Sequence, residues 1–217
     1  PVARELAEQA ARVSQHLPGW IVKSATLAEP RALANAAGAM PPGVIFPMFM
    51  AGGWFARVQI PARLAEAAVT GWKVLEPFGC EPTVHDLARE IVAEADGEDV
   101  LLAAHGSFKS SVPSDIAHHV VQLLRPARPN NRVEAAFIDQ APRLSDARGF
   151  GVRSLCLPFF AAAGAHVTED IPKLLTKAGF QGRILPPLGL DQRVPGIIAA
   201  AILAGRELCV GECRWRK

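Results

Sequence analysis

The sequence predicts an α/β fold made of two similar α/β/α halves with parallel sheets, related by internal duplication. Three observations predict it. Helical and strand-like patterns alternate along the whole chain. The alternation restarts after the polar hinge Asp96-Gly97-Glu98-Asp99, and matched residues recur at a near-constant offset between the two parts. The expected division is residues 1–96, a degenerate first half, and residues 97–217, the half that carries a functional rim.

Taken in order, Val2 to Gln15 places Val2, Leu6, Ala10 and Val13 at helical spacing, and Pro18-Gly19 then breaks the helix. Trp20 to Leu27 reads as a strand, Pro30 to Ala37 as a short helix and Gly43 to Met50 as an apolar strand. Val58 to Val69 reads as a helix beginning near Pro61, Lys73 to Leu75 as a short strand and Thr83 to Ala95 as an amphipathic helix. In the second half Val100 to Ala104 is an apolar strand that ends abruptly in His105-Gly106-Ser107. A helix follows at Pro113 to Leu124, a strand at Arg132 to Ile138 and a helix near Pro142 to Arg148. The chain then gives a strand at Arg153 to Phe159, a helix at Val167 to Ala178, a strand at Arg183 to Leu185 and a helix at Val194 to Leu203.

The duplication rests on named pairs. Pro47 and Pro158, Gly53 and Gly164, and Ile60-Pro61 and Ile171-Pro172 are each 111 positions apart. Gly79 and Gly189 are 110 apart, and Pro30 and Pro142 are 112 apart. The same offset puts the counterpart of the Val100 strand ahead of residue 1, so a further N-terminal segment is expected in the natural protein. It also shows an asymmetry, because Phe55 stands where the second half has His166, and Leu27 roughly where it has Asp139.

Composition bounds the function. Of 217 residues, 50% are hydrophobic and 20% charged, and the formal net charge is +2, too small for bulk attraction to nucleic acid. No apolar run approaches the roughly 18 residues of a membrane helix. Cys80, Cys156, Cys209 and Cys213 form no disulfide framework, so a reduced, cytoplasmic thiol set is expected, and Cys209 with Cys213 is too few ligands for a metal site. No Walker-type loop occurs, and Gly149-Phe150-Gly151 lacks the rest of a dinucleotide fingerprint, so no nucleotide is expected.

The candidate site lies at strand ends. His105 follows the Val100 strand, Asp139 follows Val133 to Ile138, and His166 follows the Leu155 strand and a short turn. Open parallel sheets bind ligands at the carboxyl ends of their strands, so all three belong on one rim. Two imidazoles and a carboxylate there suit a divalent first-row metal. Each also has a plain structural use, since a rim histidine can cap a helix and Asp139 can N-cap the one near Pro142. His16, His85, His118 and His119 read as surface or structural residues. A serine hydrolase built on Ser107 lacks the G-x-S-x-G elbow.

Three segments carry a family resemblance: H-G-S closing the first strand, F-I-D before a proline, and L-P-F-F-A-A-A-G-A-H-V-T-E-D-I-P. They resemble the class II chelatases of the CbiX, or sirohydrochlorin cobaltochelatase, family. The resemblance implies a chelatase-like, flavodoxin-like topology and insertion of Co2+, or in sister enzymes Fe2+ or Ni2+, into a sirohydrochlorin-type tetrapyrrole without ATP, in cobalamin or siroheme biosynthesis. It implies that His105 and His166 are the paired histidines, acting as metal ligands and bases. Asp139 would stand where the family commonly has a glutamate, joining the metal set or orienting a histidine. Ser107, Lys109, Ser110 and Arg143 are candidates to bind the substrate's peripheral carboxylates. A non-catalytic metal or tetrapyrrole carrier is the alternative expectation.

Overall fold

The structure is a computed structural model that describes residues 2–209, 211 and 213–215. The chain order is α1 (Val2–Gln15), α2 (Ala32–Gly38), β1 (Val44–Ile45), α3 (Ile60–Glu66), β2 (Lys73–Val74) and α4 (Pro82–Glu94) in the first half. The second half follows with β3 (Val100–Ala104), α5 (Val112–Leu124), β4 (Val133–Phe137), β5 (Leu155–Pro158), α6 (Ile171–Ala178), β6 (Arg183–Ile184) and α7 (Val194–Ala204). β1 and β2 form a parallel pair, and a four-stranded parallel sheet has the order β4-β3-β5-β6. Among the described residues no helix is long and apolar enough to cross a membrane.

β3 is central, and its side chains divide by strand alternation. Val100, Leu102 and Ala104 face the larger core, shared with Val13, Phe78, Leu87, Ile116 and Ile198. Leu101 and Ala103 face the opposite core, with Leu144, Phe150, Ile171 and Leu175. A strand buried on both faces reads as an unbroken apolar run, which is why it was legible in sequence. The larger core draws on α1, α4, α5 and α7 together, so the two halves are packed over one interior.

The repeat is visible in detail. Residues Phe55–Gln59 and His166–Asp170 each form a π-helical turn, closed by Ile60 N–H to the Phe55 carbonyl and by Ile171 N–H to the His166 carbonyl. Each turn runs directly into an α-helix with proline at its second position. Gly79 and Gly189 sit in equivalent tight turns, their N–H groups donating to the carbonyls of Phe49 (3.0 Å) and Phe160 (2.9 Å). A Cβ at either glycine would collide with the backbone of Met50 or Ala161 respectively, so both positions require glycine.

Four expectations are corrected. Trp20 to Leu27 forms no strand, because among the described residues no neighbouring strand lies beside it to supply ladder hydrogen bonds. The strand expected over 43–50 contracts to Val44–Ile45. The helix expected near Pro142 to Arg148 is only a 3-10 turn at Leu144–Asp146, because the Pro142 carbonyl accepts from Phe137 N–H (2.9 Å) and holds the segment beside β4. The helices at 58–69 and 167–178 open with the π turns.

A cleft of about 650 Å³ is lined by Trp20 to Leu27, Val44 to Phe49, α1, Leu33, Ile60 and Trp72. At the repeat offset these correspond to β4, β5, α5 and Ile171, the surroundings of β3. Neither His105 nor His166 lines the cleft.

Beyond α7 the chain crosses back to the first half. Glu207 pairs antiparallel with Leu75, Leu208 N–H donates to the Val74 carbonyl (3.0 Å), and Glu76 N–H donates to the Arg206 carbonyl (2.9 Å). Arg214 then reaches the buried Glu76 carboxylate at 2.6 Å. Trp215 packs on the rings of His85 and His119, with centroids 4.8 and 4.4 Å away.

His85, expected among surface or structural residues, is a buried structural one. Its Nε2–H donates to the Gly79 carbonyl at 2.8 Å, so the proton is on Nε2, and the buried Nδ1 has no hydrogen-bond partner. Burial, the largest cause, lowers its pKa to about 4, because a charged ring would leave Nδ1–H unsatisfied. The folded pKa lies below the unfolded value, so stability from the neutral ring is full above about pH 6.5 and is lost as pH falls toward 4. The stability difference between wild type and His85→Gln should shrink by roughly 3 kcal/mol from pH 7 to pH 4. Urea unfolding across that range checks this, and parallel curves would contradict it.

Candidate functional site: a paired-histidine rim

The site begins with ladder bonds that continue past the strand ends. Ile138 N–H donates to the Ala104 carbonyl (3.1 Å) and Asp139 N–H to the His105 carbonyl (2.9 Å), which holds Asp139 alongside His105. On the other side Phe159 N–H donates to the Ala103 carbonyl (2.8 Å), tying the segment that leads to His166 to the same strand. The chain then turns away at Gly106, where φ is +76° and a Cβ would press on Gln140 and Phe137. Gln140 fixes the turn, its Oε1 accepting from Ser107 N–H at 2.7 Å.

The two imidazoles meet edge to face. Nε2 of His105 and Nε2 of His166 are 3.3 Å apart, with ring planes at 88°. Nδ1 of His166 lies 2.7 Å from Asp170 Oδ2. Nδ1 of His105 lies 3.1 Å from the Gly106 carbonyl oxygen and 3.4 Å from Asp139 Oδ2. Every one of these partners can only accept, so both Nδ1 atoms carry the proton and both Nε2 atoms present lone pairs. Facing lone pairs repel, and a divalent cation or a proton between them makes the contact attractive. Nitrogens about 2.1 Å from one cation and 3.3 Å from each other subtend about 100° at it, a normal angle between two ligands. The side chains are 42% and 50% exposed, so a cation and a large planar ligand have access.

Asp139, expected in the metal set, sits on the Nδ1 side of His105, away from the paired Nε2 atoms. Among the described residues no three His, Cys, Asp or Glu side chains are grouped to hold a metal. The rim thus presents two imidazole nitrogens at 3.3 Å, backed by two carboxylates. A hydrogen-bonded carboxylate behind a histidine fixes its tautomer and ring orientation.

Ser107 and Ser110 lie in the loop after His105, where each hydroxyl accepts a backbone N–H, from Lys109 (3.1 Å) and Val112 (3.3 Å). Lys109 is exposed and makes no ion pair among the described residues. Arg143 is bridged to Phe137 at the end of β4, with its side chain exposed. Two residues escaped sequence reasoning. Asp170 had a usable signal, its spacing of four from His166 on a helical turn. Gln140 had none, since its role depends on the turn at Gly106.

A pair of histidines at the carboxyl-end rim of a parallel α/β sheet, each facing a carboxylate, is the arrangement to be set beside known proteins, and the comparisons place the chain among chelatases. The CbiX family profile matches residues 99–204. A sirohydrochlorin cobaltochelatase from Sulfurisphaera tokodaii is 35% identical over 106 residues, which are 46% of this chain and 86% of that protein. The solved structure of CbiX, the terminal enzyme for biosynthesis of siroheme in denitrifying bacteria, is 40% identical. It superposes with a TM-score of 0.85 over 93% of this chain and 91% of its own. SirB from Bacillus subtilis with Fe3+ shares the fold at 15% identity, with a TM-score of 0.69 over 93% of this chain and 88% of its own. The chain belongs to the CbiX family of chelatases.

Asp170→Asn removes the charge behind His166 while keeping its shape, and should weaken Co2+ binding by about 10- to 100-fold. Calorimetric titration checks this against Asp86→Asn, a change on an exposed face of α4, which should bind like wild type.

Proposed function

We propose that the chain inserts a divalent cation, with Co2+ the preferred ion, into sirohydrochlorin without ATP, using His105 and His166 as the metal-binding pair. The observation that carries this reading is the 3.3 Å approach of the two Nε2 atoms, each on a ring whose other nitrogen faces a carboxylate. Family membership supports the reaction class, and the name of the Sulfurisphaera tokodaii relative supports cobalt. Free thiols at all four cysteines agree with a reducing cytoplasmic setting.

The chemistry follows from counting ligands and protons. Two neutral imidazoles hold the cation weakly enough to release it, and water fills the positions they leave open. Pyrrole nitrogens of the macrocycle replace those waters, and two pyrrole N–H protons must depart as the metal enters. Release of the cation frees the paired Nε2 atoms, which at 3.3 Å hold one of those protons between them while the other passes to solvent. Whichever ring carries that proton is stabilised by the carboxylate at its Nδ1, Asp170 for His166 and Asp139 for His105. Asp139 is thus a positioning and charge-balancing residue. Lys109 and Arg143, with the hydroxyls of Ser107 and Ser110, are assigned to the peripheral carboxylates of the tetrapyrrole.

His166→Ala and His105→Ala should each lower cobalt insertion by roughly 10²- to 10⁴-fold, followed by the change in tetrapyrrole absorption. Unchanged rates would contradict the assignment. A wild-type rate no higher than the spontaneous one, with the tetrapyrrole still bound, would make the protein a carrier.

A further inference from the structure

The cleft of about 650 Å³ in the first half is walled on two sides by backbone with unused hydrogen-bonding groups. Gly43, Ile45, Pro47 and Phe49 turn their carbonyls toward the β2 side, where they accept from Lys73, Leu75, Phe78 and Gly79 N–H at 2.9 to 3.0 Å. Backbone groups alternate in direction along a strand, so those of Val44, Phe46 and Met48 point the other way, toward the cleft. Among the described residues the N–H groups of these three have no hydrogen-bond partner. On the opposite wall the N–H groups of residues 21–27 likewise have none among the described residues. Gln9 of α1, also lining the cleft, has a buried Nε2 without a partner among the described residues. Donors at alternate positions beside an apolar groove make a strand-pairing edge.

The second half shows what such an edge binds. At the repeat offset of 111, Val44, Phe46 and Met48 correspond to Leu155, Leu157 and Phe159. Leu155 and Phe159 N–H donate to the Asp99 and Ala103 carbonyls at 2.8 Å, and Leu157 lies opposite Leu102 of β3. Residues 21–27 correspond to 132–138, where the Arg132 carbonyl accepts from Val100 N–H (2.8 Å) and Ile138 N–H donates to the Ala104 carbonyl (3.1 Å). β3 leads through residues 105–111 into α5, and α1, the counterpart of α5, places Val2 among the cleft-lining residues. A strand in the cleft would therefore reach residues 20–27 through α1 as an ordinary βα crossover. We propose that the cleft seats a β-strand supplied by the segment of this protein that lies ahead of α1, running parallel to β1 between residues 44–48 and residues 20–27.

The groove specifies the chemistry of its occupant. One face of the strand meets Leu6, Ala10 and Val13 of α1 and the other meets Ile60, so successive side chains are committed to two apolar surfaces. A run of apolar residues the length of β3 fits, and a central proline does not, because the strand's N–H groups are needed on both sides. The strand's carbonyls accept from Val44, Phe46 and Met48, and its seating gives the first half a four-stranded sheet of the same order as β4-β3-β5-β6. Backbone pairing supplies the affinity, and the two apolar faces fix the register. The inference stands apart from the histidine rim, since neither His105 nor His166 lines the cleft.

The test compares the 217-residue chain with the same chain preceded by a copy of its own residues 99–111, which supplies β3 and its following loop as the strand. Amide hydrogen exchange, read by mass spectrometry on peptides covering residues 20–27 and 43–49, should slow by roughly 10²-fold in the extended chain. Light scattering should still give a monomer, and residues 183–184 at the edge of the other sheet should exchange as before. A synthetic peptide of residues 99–107, added to the 217-residue chain, gives the same reading where the extended chain fails to fold, and its Leu102→Pro form should protect nothing. Equal exchange of residues 43–49 with and without either strand would overturn the proposal. So would protection confined to residues 183–184, or equal protection by the proline peptide. Protection of residues 43–49 in the 217-residue chain alone, rising with its concentration as dimers form, would put a second copy in the cleft and overturn it as well.

Discussion

The histidine rim depends on the placement of β3 between β4 and β5. Backbone hydrogen bonds on both sides fix its register, from Val100 opposite Val133 and Leu155 to Ala103 opposite Ala136 and Pro158. Because the β4 ladder runs one residue beyond the strand, the Asp139 N–H is bonded to the His105 carbonyl before any side chain interacts. The side-chain contacts need only adjust a placement that the backbone has made. Alternation along β3 commits successive residues to opposite cores, so a one-residue slip would move Leu101 and Leu102 to the wrong faces and take His105 off the rim.

The two halves use the same scaffold for different ends. Both carry a π turn leading into a proline-bearing helix, and both close a tight turn with a glycine against a backbone carbonyl. In the second half the π turn begins with His166 and ends with Asp170, so its wider spacing still brings ring and carboxylate to 2.7 Å. In the first half the same turn begins with Phe55, packed 5.7 Å from Phe49 and 5.3 Å from Trp54 between ring centroids. Its Arg57 is turned to the C-terminal segment. The same backbone turn thus carries an aromatic cluster in the first half and a histidine–carboxylate pair in the second.

What was legible in sequence was periodic or punctuated. α1, α4, α5 and α7 announced themselves by apolar spacing and by prolines near their starts, β3 by its unbroken apolar run, and the repeat by glycines and prolines at fixed offset. The sequence places His105 directly at the end of a strand-like run and His166 one short turn beyond another, and the structure brings their rings together. The strand reading of Trp20 to Leu27 failed because β structure requires a neighbour, and local sequence does not say whether one is present. The helix reading near Pro142 failed because a single tertiary hydrogen bond, Phe137 N–H to the Pro142 carbonyl, outweighs local helical propensity. Asp170 was visible as a residue within its motif, but its role depends on the π turn. Residues 206–209 and 213–215 meet partners such as Glu76 and Cys80 more than a hundred positions away, which no local pattern encodes.

The proposed function turns on one divalent cation held by Nε2 of His105 and Nε2 of His166, with Asp139 behind the His105 ring and no cysteine in the set. X-ray absorption at the cobalt edge of the Co2+-loaded protein tests this most directly. The account predicts two imidazole ligands at about 2.1 Å with the remaining shell of lighter oxygen donors. A sulfur shell near 2.3 Å, or no imidazole scattering, would contradict it.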